Sequence, residues 1–171
     1  MKQTLDHAIR TLAKEHGIPY ALLSAAVAEE RATTDPALVQ PISGIPEAVI
    51  ALSALGGKHY LVTHRDRHTA TVLLAQCGLL SSFEELVTSD DGLPRKPAPD
   101  SCLYLLNRHR IDPATAVMIG DRPLDIRAGK AAGMLGCLLD PDGRFPDEPC
   151  DLRIREADEL THLFIAPESL V

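Results

Sequence analysis

Three apolar runs in this sequence each lead into side chains suited to a charged ester. Leu61-Val62 ends in Thr63-His64-Arg65. Leu86-Val87-Thr88 leads through Ser89-Asp90-Asp91-Gly92 to Arg95-Lys96-Pro97-Ala98-Pro99-Asp100. Ala116-Val117-Met118-Ile119 ends in Gly120-Asp121-Arg122-Pro123-Leu124-Asp125. A hydroxyl and an ammonium suit phosphoryl oxygens, and carboxylates suit a hard cation such as Mg²⁺. Asp121 and Asp125 are four apart at a helix start, so both can face one way. Gly120 lets the backbone turn tightly out of its strand. Each piece has an ordinary reading by itself: a helix cap for Thr63, a solvated cation for Lys96, a capped helix start for the two aspartates. Their joint occurrence after three successive strands favours a common site.

The surrounding pattern supplies the elements that must position them. Leu5, Ala8, Ile9 and Leu12 recur at helical spacing up to Gly17, and Pro19 opens a second helical pattern that fades at Thr33-Thr34-Asp35-Pro36. Residues 35–46 read as a loop, and Pro46 opens a helix carrying Val49, Ile50, Leu52 and Leu55. Beyond Gly57, short strands at 59–63, 86–88, 116–119, 135–139 and 152–154 alternate with helical stretches. The helices are expected through Ala70–Cys77 and over 99–109, 123–132 and 156–164. Such alternation predicts a parallel sheet with crossover helices, with ligands at the carboxyl ends of the strands.

Composition narrows the class of partner. The chain has 171 residues, 45% hydrophobic and 24% charged, so one folded domain of ordinary size is expected rather than disorder. A net charge of −7 and only 4% aromatics argue against nucleic acid or an anionic membrane surface as the main partner. No apolar stretch reaches the roughly 20 residues of a membrane helix, and a signal peptide is not expected, since Met1-Lys2-Gln3 leads into a polar, charged segment. Cys77, Cys102, Cys137 and Cys150 lack C-x-x-C spacing and are expected to be buried, reduced thiols, with the first three in apolar runs, consistent with a cytoplasmic protein.

With these motifs in place, the sequence resembles the haloacid dehalogenase superfamily, in its phosphoglycolate-phosphatase-like branch. Leu61-Val62-Thr63 resembles motif II, Arg95–Asp100 motif III, and Val117–Ile126 motif IV. Ala128-Gly129-Lys130-Ala131-Ala132-Gly133-Met134 and Gly44-Ile45-Pro46-Glu47 match as well, so the likeness covers about 44–165. It implies a Rossmann-like α/β core over 44–171, with residues 1–43 as a small helical cap remnant. It also implies a Mg²⁺-dependent phosphatase of a small phosphorylated metabolite, working through an aspartyl-phosphate. On that reading Thr63 hydrogen-bonds the phosphoryl group and Lys96 neutralises its developing charge. Asp121 ligates Mg²⁺ and Asp125 supports the metal shell. His64 stands where the family often has Asn, next to the substrate.

One part of the family pattern is not found. Motif I, a D-x-D-G-T/S sequence closing the first strand, supplies the nucleophile, the acid/base and one metal carboxylate. No such strand precedes the first helix here. In the family that strand is central, between those ending at Thr63 and Gly120. Three arrangements are open: a fragment or mis-started product of a longer phosphatase, two flanking strands that close up in a non-catalytic relative, or a strand supplied by another chain. Self-association through the unfilled position is part of that last possibility.

Other acidic segments do not substitute. Leu138-Leu139-Asp140-Pro141-Asp142-Gly143 reads as D-x-D-G but follows motif IV, and Pro141 lacks the N–H that motif I donates, so an acidic turn is expected. Ser89-Asp90-Asp91-Gly92 reads as a loop. His64-x-x-x-His68 lacks the Glu of a zinc-protease helix. A metal-free dehalogenase does not need the Asp121/Asp125 pair, and a phospho-receiver has no G-D-x-x-x-D after its Lys. A phosphatase, incomplete as written, is the leading expectation. The alternative is a non-catalytic relative that binds phosphate or a partner.

Overall fold

The computed structural model describes residues 5–33 and 39–165. Residues 34–38, which carry part of the expected loop, lie outside this description. The chain divides into two compact units, Met1–Val39 and Gln40–Val171.

The first unit is a helical hairpin. Helix α1 spans Leu5–His16 and α2 spans Tyr20–Thr33. Gly17 adopts φ 64°, which a glycine takes without steric cost, and Ile18 N–H closes the turn on Ala13 carbonyl at 2.9 Å. Ile9 and Ala13, four apart, are buried. Across the turn the Arg10 guanidinium lies 4.3 Å from the Tyr20 ring centroid.

The second unit is a parallel α/β fold. Its elements run α3 (Ile45–Ala54), β1 (His59–Val62), α4 (Arg67–Gln76), β2 (Phe83–Val87), α5 (Asp100–His109), β3 (Val117–Gly120), α6 (Pro123–Ala131), β4 (Leu135–Leu139), β5 (Leu152–Ile154) and α7 (Asp158–Ile165). Pro46 sits in the first turn of α3, where its missing N–H costs nothing. Asp66 caps α4 by accepting from Thr69 N–H at 2.8 Å.

Side-chain alternation on β3 places helices on both faces of its sheet. Val117 and Ile119 pack toward Cys137, Leu139, Ile154 and Leu160, with Ala48 of α3 in the same cluster. Ala116 and Met118 pack on the opposite side, toward Cys102 and Leu106 of α5 and Ala128 of α6. Gly129 lets α6 approach β3 closely, because a Cβ there would collide with that of Met118.

Two sequence expectations need correction. The second strand starts at Phe83 rather than Leu86, and Thr88 lies beyond its end. Glu84 and Glu85 conceal it from an apolar pattern. Glu85 is tolerated because α5 supplies partners: Tyr104 hydroxyl at 3.0 Å, His109 Nε2 at 2.7 Å and Arg108 Nε at 2.9 Å. All four cysteines are free; Cys102 and Cys137 are buried, whereas Cys77 is half-buried, as is Cys150.

The strands form two ladders: parallel β1–β2, and parallel β3–β4–β5 with β4 in the middle. No ladder joins β1 to β3 among the described residues, so flanking strands closed up on one another are not what this fold adopts. Burial agrees. Residues 136–139 of β4 are fully buried, but every residue of β1 and β3 is only half-buried.

Thr63 N–H bonds Val87 carbonyl and Leu135 N–H bonds Ala116 carbonyl, both within 3.0 Å. Every second residue of a parallel strand bonds to a given neighbour. Tyr60 and Val62 on β1, and Val117 and Ile119 on β3, therefore aim their amides at the edges outside the two ladders. Amide exchange followed by NMR should show these four amides markedly less protected than Leu61 and Met118. Equal protection would mean that the edges are paired.

Candidate active site

Three loops meet at the carboxyl ends of β1 and β3. The first continues β1. Thr63 stays in register with β2 through its N–H, and its Oγ1 accepts from Arg65 N–H at 3.2 Å, which leaves the hydroxyl proton available. The second loop delivers Lys96. Its ammonium donates to Val62 carbonyl at 2.7 Å, on the β1 edge that β2 does not use, one residue from Thr63. Its backbone N–H donates to His64 Nε2 at 3.0 Å.

The third loop leaves β3 at Gly120, where a Cβ would collide with the Asp125 side chain. Pro123 and Asp125 fall in the first turn of α6, where a carboxylate is favourable. Asp125 Oδ1 stands 2.6 Å from Lys96 Nζ, and both side chains are nearly excluded from water, at 4% and 6% exposure. The approach is that of an ion pair without a directed hydrogen bond, and Oδ1 has no hydrogen-bond donor. Asp121 is partly exposed. Arg122 Nε lies 3.8 Å from a carboxylate oxygen of Asp121 and 3.8 Å from one of Asp125, so the two acids flank one guanidinium.

The structure therefore brings Thr63, His64, Lys96, Asp121 and Asp125 to one rim. Burial holds the His64 imidazole below the usual histidine range, helped by the cations of Lys96, Arg122 and Arg95 and opposed by Asp125. Sequence reasoning missed two features, the bond from Lys96 N–H to His64 and the position of Arg122 between the acids. Neither carries a local signature.

A divalent cation fits the donors present. Asp121 and Asp125 supply hard oxygens, and the buried Asp125 Oδ1 lacks a hydrogen bond. Among the described residues no group of three or more His, Cys, Asp or Glu side chains is placed to hold a metal ion. Mg²⁺ is commonly held by one or two carboxylates together with water and phosphate oxygens, so two acids are compatible with it.

The remaining acidic motifs are structural. Asp140 is 1% exposed. It accepts from Arg144 N–H at 2.8 Å, Phe145 N–H at 2.9 Å and Arg153 Nη1 at 3.1 Å. Burial pushes its carboxyl up, but these donors outweigh it and hold the pKa below the usual aspartate value. Asp91 is bound by Thr88 N–H at 2.7 Å and Arg67 Nη2 at 2.8 Å, which docks the start of α4 onto the end of β2. A cavity of about 490 Å³ opens beyond β4 and β5, lined by Ser43, Leu139, Arg155 and Asp158 among others. None of the five rim residues lines it. No described helix is long and apolar enough to cross a membrane.

The second unit is a parallel α/β core with a Lys–Asp pair at its strand ends, and comparison with known proteins identifies the family. Residues 1–138 match the family described as haloacid dehalogenase-like hydrolase, and the chain belongs to it. Over 108 residues the chain is 33% identical to a plasmid-encoded phosphoglycolate phosphatase of Cupriavidus necator, covering 63% of this chain and 47% of the relative. It is 34% identical over 96 residues to the pyrophosphatase PpaX of Bacillus velezensis, covering 56% and 44%. Among solved structures it is similar to the HAD-hydrolase YfnB of Bacillus subtilis bound to magnesium, with a TM-score of 0.75, 26% identity, and coverage of 96% of this chain and 74% of that one. The chain spans about half the length of these curated relatives.

Two outcomes test the site's construction. Gly120→Ala should lower stability by about 1–3 kcal/mol, the usual cost of overpacking, read as a lower urea midpoint at unchanged slope. An unchanged midpoint would mean that Asp125 is free to move. Asp140 has a depressed folded pKa, so its contribution is complete above the unfolded value of about 3.9 and is lost as pH falls through the folded one. Asp140→Asn should therefore flatten the acid limb of urea midpoint against pH; a limb identical to wild type would refute the assignment.

Proposed function

We propose that this chain carries the phosphoryl- and cation-binding part of a Mg²⁺-dependent phosphatase acting on a small phosphorylated metabolite of the phosphoglycolate type. The observation that carries the reading is Lys96, whose ammonium is seated between Val62 carbonyl and the buried Asp125 carboxylate, one residue from the Thr63 hydroxyl. An ammonium has three donors. One is directed at Val62 carbonyl and the ammonium is paired by charge with Asp125, so donor capacity is left for an incoming anion.

Thr63 donates to one phosphoryl oxygen and Lys96 to another, so the ester is held at the rim and its charge is partly neutralised. His64 borders the same contact. Asp121 and Asp125 would hold Mg²⁺, which supplies further charge stabilisation when bound. Arg122 lies close enough to both acids to limit their mutual repulsion. No described strand ends in D-x-D-G-T/S, so the aspartyl nucleophile of the family pattern is not among the site residues assigned in this reading. We infer no turnover by that route from this chain alone. The same pairing of Thr63 and Lys96 without a nucleophile supports the second reading, a non-catalytic phosphate-binding relative.

Calorimetry with inorganic phosphate, with and without Mg²⁺, tests the shared claim. Binding should weaken at least tenfold, about 1.4 kcal/mol, in Lys96→Met, while Asp121→Asn should remove only the Mg²⁺-dependent part. Absence of phosphate binding, or binding indifferent to Lys96, would sink both readings. Joining a strand ending in D-x-D-G-T upstream should then yield Mg²⁺-dependent hydrolysis of p-nitrophenyl phosphate. If phosphate binds but the extended protein releases none, the non-catalytic reading stands.

A further inference from the structure

We propose that His64 is a positioning residue for Lys96, acting as a neutral imidazole whose Nε2 lone pair anchors the Lys96 backbone rather than contacting substrate. The inference deepens the phosphoryl-site reading and rests on it for its functional consequence. A backbone N–H can only donate, so the nitrogen that receives it at 3.0 Å carries no proton. His64 therefore holds its proton on Nδ1.

Three consecutive residues at the end of β1 then divide the work. Val62 carbonyl takes the Lys96 ammonium, Thr63 presents its hydroxyl, and His64 takes the Lys96 amide 32 positions along the chain. Lys96 is thus held at both ends of its own length by one strand terminus. A flexible side chain fixed in this way loses little further freedom when an anion arrives. The groups acting on His64 agree with the neutral form. Lys96, Arg122 and Arg95 are cationic neighbours, Asp125 is the acid opposing them, and the ring is partly buried. An imidazolium would lose the Lys96 bond and add a further cation to this group.

The geometry makes a specific distinction between two amide substitutions. Glutamine places its side-chain oxygen near the position of Nε2, whereas asparagine places it near Nδ1. His64→Gln should keep the anchor and His64→Asn should lose it.

Inorganic phosphate titrated into the intact chain should bind roughly 10- to 100-fold more weakly in His64→Asn, the range found for groups that orient a metal ligand, and close to normally in His64→Gln. A ¹⁵N-histidine spectrum of the wild type near neutral pH should show the His64 resonances of an Nδ1–H tautomer, identified by their loss in His64→Gln. Amide exchange should show Lys96 N–H protected in wild type and His64→Gln and unprotected in His64→Asn. Phosphate binding that is unaffected in His64→Asn, or equally weakened in both variants, overturns the proposal, as does a protonated Nε2. If wild type binds no phosphate, the phosphoryl-site reading falls. The anchor is then judged by the tautomer and Lys96 exchange alone, which support it if both appear as stated and overturn it if either does not.

Discussion

The site depends on the contact between the Lys96 ammonium and the Asp125 carboxylate. Both groups are nearly shielded from water, where an isolated charge would be costly, so each makes the burial of the other tolerable. Their partners come from different parts of the unit. Lys96 is also held by the end of β1 through Val62 carbonyl, and Asp125 belongs to the helix that follows β3. The pair therefore links the carboxyl ends of two separate ladders. Removing one member leaves an uncompensated charge and frees the loop that carried it.

Around this pair the local field differs from that of the whole molecule. The chain carries a net charge of −7, yet Lys96, Arg95 and Arg122 act together on His64 at the rim. Such concentration of cations draws an anion to one place on an otherwise acidic surface. Asp121 and Asp125 supply the opposite requirement at the same rim, hard oxygen donors for a cation. A phosphate ester with a divalent ion satisfies both halves at once. That is the physical basis of the phosphoryl chemistry proposed for this member of the haloacid dehalogenase-like hydrolases.

Hydrogen bonding separates the proposed ligand carboxylate, Asp125, from the structural ones. Asp140 is as deeply buried as Asp125 and lies in a more suggestive D-P-D-G sequence, but both of its oxygens are committed to backbone donors and one also to Arg153. Asp91 is committed in the same way to Thr88 and Arg67. Asp125 differs in that its Oδ1 has the Lys96 ammonium as an ion-pair partner but no hydrogen bond.

The sequence by itself determined the alternation of short apolar runs with helical stretches, the five strands, and the polar residues that follow them. These are local properties: hydrophobic period, glycine and proline position, and motif spacing. It singled out Thr63, Lys96, Asp121 and Asp125 as candidates for the same reason, since each lies beside a strand end or helix start. It missed the beginning of β2, because Glu84 and Glu85 break the apolar pattern and only α5, folded across them, satisfies Glu85. Tertiary structure alone decided that β1 and β3 lie in separate ladders, that Lys96 spans from Val62 to Asp125, and that His64 turns its ring to the Lys96 amide. These contacts join residues about 30 positions apart, where no local period or propensity acts and only packing and charge compensation select the partner.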